Sequence, residues 1–153
     1  HALVILGEVQ DPQNVGSIIR SAGAFGISAV LIPKDRQAQL TGSVIKASVG
    51  AAFRVPLIGI GNVNQTVRSL KDSHFWVYGL AGESEELETK NIRSEDFSEN
   101  TVFIVGNEAK GVREKTLEHC DEVLSIPITD TVESLNAGTS AAIAFYEWRL
   151  KQF

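Results

Sequence analysis

Ser125-Ile-Pro-Ile-Thr-Asp-Thr-Val-Glu-Ser-Leu-Asn136, running into Ala137-Gly-Thr-Ser-Ala-Ala-Ile-Ala-Phe-Tyr-Glu-Trp-Arg-Leu-Lys-Gln-Phe153, is the stretch around which the chain is arranged. A short strand over 123–126 meets a stop at Pro127, and a polar loop of Thr, Asp, Glu, Ser and Asn follows. The helix after it carries small residues at Ala137, Gly138, Ser140, Ala141, Ala142 and Ala144. Such a helix lets another backbone or a ligand come close, because no long side chain holds it off. Taken alone, the same pattern also describes an ordinary C-terminal helix docked on a sheet.

Working outward, short continuous apolar runs alternate with helical patterns. Strands are expected over 2–9, 28–33, 55–60, 75–81, 102–105 and 122–126, because β-branched and aliphatic residues run together there. Helices are expected over 15–25, 41–51, 63–71 and 113–120. Asp11 or Asn14 can cap the first, Pro12 suits a first helical position, and Gly26 suits the residue just past its end. Asn62 caps the third helix. Residues 34–40 read as a polar loop, and 83–100 as an acidic, weakly patterned loop with a short turn of helix. Continuous apolar strands alternating with helices predict an α/β fold with a mostly parallel sheet covered by helices on both faces. Ligands in such sheets gather at the loops after the strand C-termini. Here those loops are 10–17, 81–85, 106–111 and 128–136.

At 153 residues the chain reads as a single domain with room for a proper core. Its 43% hydrophobic and 22% charged content is ordinary for a soluble globular protein. No apolar run approaches the ~20 residues of a membrane helix, and no signal-peptide pattern opens the chain. A lone Cys120 permits no internal disulfide, and no His/Cys spacing suggests a metal, so no metal and a cytoplasmic setting are expected. The net charge of −5 argues against a general nucleic-acid binder, whose affinity rests on many phosphate contacts. A local patch from Lys34, Arg36 and Lys46 remains compatible with that balance. His74 and His119 read as structural or surface residues, Cys120 as a small buried hydrophobe. Trp76 and Trp148 read as core or interface.

Three of the four loops hold unusual residues. The first has Asn14-Val-Gly16-Ser-Ile-Ile-Arg20-Ser-Ala22, with Gly16 and Arg20 on one helix face and room above Arg20 for an approaching group. It matches neither phosphate-loop nor dinucleotide glycine patterns. From spacing alone, a solvated helix arginine and a capping asparagine are the readier explanation. The second has Gly106-Asn107-Glu108-Ala-Lys-Gly111, a carboxylate and an amide bracketed by glycines, which is also a plain tight turn. The third runs from Ile126-Pro-Ile128 to Ser134-Leu-Asn136, where Ser and Asn can cap the last helix.

In this order and spacing the three stretches resemble the signature motifs of the SpoU (TrmH-type) RNA ribose 2′-O-methyltransferases of the SPOUT class. Asn14-x-Gly16-x-x-x-Arg20-x-Ala22 matches the first, Val105-Gly106-x-Glu108-x-x-Gly111 the second, and Ile126-Pro127-Ile128 to Ser134-Leu135-Asn136 the third. The resemblance covers essentially the whole chain. The stretches 32–36 and 48–52 look most like the branch that methylates a guanosine of 23S ribosomal RNA. It implies a C-terminal deep trefoil knot, which general topology rules would not predict. It also implies S-adenosylmethionine held in that knot by Gly106, Ile126 and Leu135, with Asn107, Ile128 and Ala81 beside them. A symmetric homodimer is implied, with the last helix in the interface and the active site shared across it. Two departures stand out: Ala137-Gly138 replaces the usual Val-Ser, and the N-terminal RNA-binding domain of relatives is expected to be absent.

The resemblance points to Arg20 as the catalytic residue. Because a guanidinium is a permanent cation it suits a phosphate clamp or a stabiliser of the developing alkoxide better than a base. Asn14, Glu108, Ser134 and Asn136 would orient Arg20 and the ribose. RNA is the expected partner, ribosomal before transfer RNA. The alternatives are a transfer-RNA ribose methyltransferase of the same family and a knotted RNA- or cofactor-binding module without catalysis. The residues alone support only a nucleotide-binding α/β domain.

Overall fold

The computed structural model describes residues 1–152 other than Arg36, Leu40 and Val49. Among the described residues there are seven strands: β1 (Ala2–Gly7), β2 (Ala29–Pro33), β3 (Leu57–Ile60), β4 (Trp76–Leu80), β5 (Lys90–Asn91), β6 (Thr101–Gly106) and β7 (Glu122–Ser125). They form one sheet in the order β3-β2-β1-β6-β4-β7-β5, and each pairing is parallel. Parallel strands need helical crossovers, which bury both sheet faces. That is why β6 is buried along its whole length and why its sequence is a continuous apolar run.

The described residues form the α-helices α1 (Pro12–Phe25), α2 (Gly42–Ala47), α3 (Val63–Asp72) and α4 (Glu114–His119), which lie in crossovers between strands, and α5 (Ala137–Leu150), which follows the last strand. One core joins α1, α2 and α5 to one sheet face through Ile18, Ile19, Val44, Phe103, Phe145 and Trp148. The other joins α3 and α4 to the opposite face through Val67, Ile104 and Leu117. The α/β expectation therefore holds, with two corrections to the strands. There are seven rather than six, because the region read as loop contributes β5. Its polar Lys90 and Asn91 give no apolar signal; they join the sheet only by pairing with Leu124 and Ser125 of β7. The first strand stops at Gly7, two residues early, because Glu8 turns the chain at φ 66°.

Helix α1 begins three residues earlier than expected. The Asp11 carboxylate accepts the Gln13 N–H at 2.9 Å, and Pro12 takes the first helical position, where its missing N–H costs nothing. Gly26 ends it at φ 80°. The second expected helix is cut short at Ala47, and a separate 3-10 turn spans Ala51–Phe53. The space read above Arg20 is taken by this segment: a Cβ at Gly16 would lie 2.4 Å from the Ala47 Cβ and 2.9 Å from the Ser48 nitrogen. Gly16 is thus a helix-packing residue. Gly138 plays the same part where α5 meets α1, with a Cβ there falling 2.9 Å from Ser17 Oγ. Trp148 is core, whereas Trp76 is 44% exposed at the start of β4. Burial and the neighbouring Asp121 charge push the Cys120 thiol up to about 12, so it is no nucleophile.

Neighbouring strands β1 and β6 are followed by helices on opposite faces, α1 on one and α4 on the other. A crevice must open between two such strands at their C-terminal ends. Gly7 and Gly106 pair across it in register.

Candidate active site

The loops on the two sides of this crevice are tied together by side chains. Asn107 Nδ2 donates to the Glu8 carbonyl at 2.9 Å. The Glu108 carboxylate accepts the Asp11 N–H at 2.9 Å and, at 3.4 Å each, the Gln10 N–H and Asn14 Nδ2. The first and second motifs thus meet through Glu108. Burial raises the Glu108 pKa, but the N–H groups of Asp11, Glu108 itself and Gln10 and the Asn14 amide outweigh it, leaving it below the usual carboxylate value.

The sign of the linkage follows. A depressed folded pKa adds stability above the unfolded value, and that stability is lost as pH falls through the folded one. Wild-type stability should therefore drop on acidification below the usual carboxylate range, and Glu108→Gln should flatten this part of the profile. Glu108 is exposed, so the cost of the substitution at neutral pH is discounted to about 1 kcal/mol. Chemical denaturation at several pH values measures both.

Within the 106–111 loop, Asn107 and Gly111 exchange backbone hydrogen bonds at 3.1 and 2.8 Å, and Asn107 Oδ1 accepts the Ala109 and Lys110 N–H groups. Gly111 sits at φ 70°. The turn folds so tightly over Gly106 that a Cβ there would lie 2.1 Å from the Val112 nitrogen.

Beside this loop lies a cleft of about 530 Å³, within the usual range for ligand sites. Its walls come from three loops: 80–83 after β4, 105–111 after β6, and 126–135 after β7, with Ala137 and Ser140 of α5 closing one end. Gly106, Asn107, Glu108, Ile126, Ile128, Ser134, Leu135 and Ala81 all line it. Asn14 stands behind Glu108, 4% exposed. Asn136 does not line the cleft; its side chain caps α5 by accepting the Thr139 N–H at 3.2 Å. Arg20 does not line it either. It is exposed on α1, and no hydrogen bond or ion pair joins it to Asn14, Glu108, Ser134 or Asn136 among the described residues. The expectation that these four orient Arg20 is therefore not met within one chain, because Glu108 and Asn14 bond each other and Asn136 bonds its own helix. Lys34 and Lys46 are exposed, and Arg36 lies outside the described residues.

Sequence reasoning missed several cleft residues: Glu83, Lys110, Asp130, Val132 and Glu133. All five sit inside candidate loops named from the sequence, but none was singled out there as a site residue. With Glu108 they give the cleft four carboxylates against one lysine, a field that favours a cationic ligand. The described residues hold no cluster of His, Cys, Asp and Glu suited to a metal, and no helix among them is long and apolar enough to cross a membrane.

A parallel sheet with a ligand cleft at the loops beside its switch point defines a cofactor- or nucleotide-binding α/β domain. The chain belongs to the SpoU rRNA Methylase family, whose model matches residues 1–146. It is 41% identical over 145 residues to the 23S rRNA (guanosine-2′-O-)-methyltransferase RlmB of Xanthomonas axonopodis pv. citri, covering 95% of this chain and 57% of that protein. Its match to RlmB of Escherichia coli strain K12 is 40% identical, covering 95% of this chain and 58% of that protein. The chain thus spans a little under three-fifths of these relatives. The solved structure of the SpoU methyltransferase AviRb from Streptomyces viridochromogenes, in complex with the cofactor AdoMet, has the same fold. It superposes with a TM-score of 0.87 at 23% identity, over 99% of this chain and 60% of that one.

Proposed function

We propose that this chain is the catalytic domain of an S-adenosylmethionine (AdoMet)-dependent RNA ribose 2′-O-methyltransferase acting on a guanosine of 23S ribosomal RNA. The observation that carries the reading is the cleft itself, lined by residues of the second and third motifs and tied to the first through Glu108. Relatives named as enzymes of this activity at 40–41% identity support it.

The residues present fit AdoMet. Leu80, Ile126 and Leu135 offer apolar walls to an adenine ring, and the carboxylates complement a ligand with a sulfonium and an ammonium group. When bound, the cofactor supplies an activated methyl group on sulfur. The chain's part is to bring a ribose 2′-hydroxyl into line with that methyl and to ease loss of its proton. The Arg20 guanidinium, a planar cation, stabilises negative charge growing on the 2′-oxygen or holds an adjoining phosphate. The proton leaves to solvent or to a substrate phosphate. Ser134, exposed on the cleft wall, is placed to hydrogen-bond the ribose. DNA is refused because it lacks the reacting hydroxyl.

Since Arg20 stands outside its own chain's cleft, the active form in this reading is a homodimer in which Arg20 serves the partner's cleft. Exposed Tyr146 and Leu150 on α5, together with Gly23 and Ala24 on α1, support that face as the contact. The knotted path of the C-terminal segment belongs to the same proposal and rests on family membership.

The test is transfer of labelled methyl groups from AdoMet to purified 23S ribosomal RNA and to bulk transfer RNA, followed by digestion to nucleosides. Label in 2′-O-methylguanosine from ribosomal RNA is the expected result. Label in transfer RNA alone would move the substrate, and AdoMet binding without transfer to either RNA would leave a binding module.

A further inference from the structure

Lys110 is the one cation among the described residues that line the cleft. It stands between Glu108 and Gly111, at a position the second motif leaves unspecified.

The turn that carries it engages its own backbone donors. The Asn107 N–H donates to the Gly111 carbonyl at 3.1 Å, and the Gly111 N–H to the Asn107 carbonyl at 2.8 Å. The Ala109 and Lys110 N–H groups both donate to Asn107 Oδ1, at 2.9 and 3.1 Å. The Glu108 N–H donates to its own carboxylate. With each backbone N–H of 107–111 engaged, the charged donor that this wall offers to a ligand is the Lys110 ammonium. That ammonium is exposed and makes no hydrogen bond or ion pair among the described residues.

The acids of the cleft are placed apart from it. Glu108, two residues away, is turned to the N–H groups of Asp11 and Gln10 and to the Asn14 amide. Glu83 stands on the loop after β4, and Asp130 and Glu133 on the loop after β7. The cleft is therefore polarised, with a free cation on the turn after β6 and carboxylates on the two other loops.

AdoMet carries a matching set of charges. Its sulfonium and α-ammonium groups are cationic, and its α-carboxylate is its single anionic group. An ammonium donating to a carboxylate makes a charge-assisted hydrogen bond, stronger than a neutral one. We infer that the Lys110 ammonium binds the α-carboxylate of AdoMet, so that the amino-acid end of the cofactor lies against the turn after β6. The inference rests on the reading of the cleft as the AdoMet site and adds to it the direction in which the cofactor lies.

The sign of the charge separates this role from a general one. AdoMet as a whole is a cation. A lysine that only added to the field of the cleft would repel it, and removing that lysine would tighten binding. A lysine that holds the carboxylate does the reverse.

The test is titration calorimetry of AdoMet, S-adenosylhomocysteine and decarboxylated AdoMet into the wild type, Lys110→Met and Lys110→Arg. Lys110→Met keeps an unbranched side chain without the charge. It should weaken AdoMet and S-adenosylhomocysteine about fivefold, the size of one exposed charge pair. Decarboxylated AdoMet, which lacks the group, should bind Lys110→Met no more weakly than it binds the wild type, which also reports that the cleft is intact. Lys110→Arg keeps a charged donor and should hold AdoMet affinity within about twofold. AdoMet binding that is unchanged or tighter in Lys110→Met would overturn the inference and leave the methyl-donor cleft standing. An equal loss for decarboxylated AdoMet would do the same. A wild-type chain that binds none of the three ligands would count against the methyltransferase reading itself.

Discussion

Gly106→Ala is expected to lower the melting temperature by roughly 6–12 °C and to abolish AdoMet binding. The added Cβ would sit 2.1 Å from the Val112 nitrogen, 2.2 Å from the Gly111 carbonyl carbon and 2.7 Å from its oxygen. All three are backbone atoms, so no side chain can rotate away. Relief requires moving the 107–111 turn, and that turn carries the Asn107–Gly111 bonds and the Glu108 link to Asp11. Overpacking of this kind costs about 3 kcal/mol, which in a chain of this size gives the stated shift. Gly59→Ala is the control, since a Cβ there meets nothing within 4 Å. A Gly106→Ala protein that melts like Gly59→Ala and binds AdoMet would mean that the turn yields freely.

Arg20→Ala is expected to slow methyl transfer about 100- to 1,000-fold, the range seen when one preorganised donor is removed from a site of developing charge. AdoMet affinity should stay within a few-fold, because the role proposed for Arg20 is toward the ribose oxygen or a phosphate of the RNA, and it does not line its own chain's cleft. The proposed sharing of the site between two chains adds a sharper expectation. Mixing Arg20→Ala with a cleft-blocking Leu135→Glu chain, each inactive alone, should restore roughly a quarter of wild-type activity, because half the dimers then hold one complete site. No recovery after subunit exchange would show that Arg20 works within its own chain.

The sheet was legible because its central strands are buried on both faces and therefore read as largely apolar runs, as in Thr101–Gly106. Helix ends were legible where a cap has a chemical signature, such as Asp11-Pro12 or Gly26. The two-residue β5 was not, because it exists only through its pairing with β7, a tertiary fact with no local trace. The cleft was legible as three candidate loops at strand ends, two of them bearing motifs. The partner of each side chain was not. Glu108 turns to backbone N–H groups 97 and 98 positions away, and Asn136 to its own helix, while Arg20 was expected to gather both. Gly16 misled for the same reason: spacing shows that a side chain is missing, not what fills the space, which here is α2. Glu8 in a left-handed turn carried no signal, because that conformation usually belongs to glycine.

The most direct test is titration calorimetry of AdoMet into the purified chain, with ATP and NAD as controls. Saturable binding near one AdoMet per chain, without heat from ATP or NAD, is the expected result. No binding at millimolar AdoMet, or equal binding of all three, would contradict the assignment of the cleft between the loops after β4, β6 and β7 as the methyl-donor site.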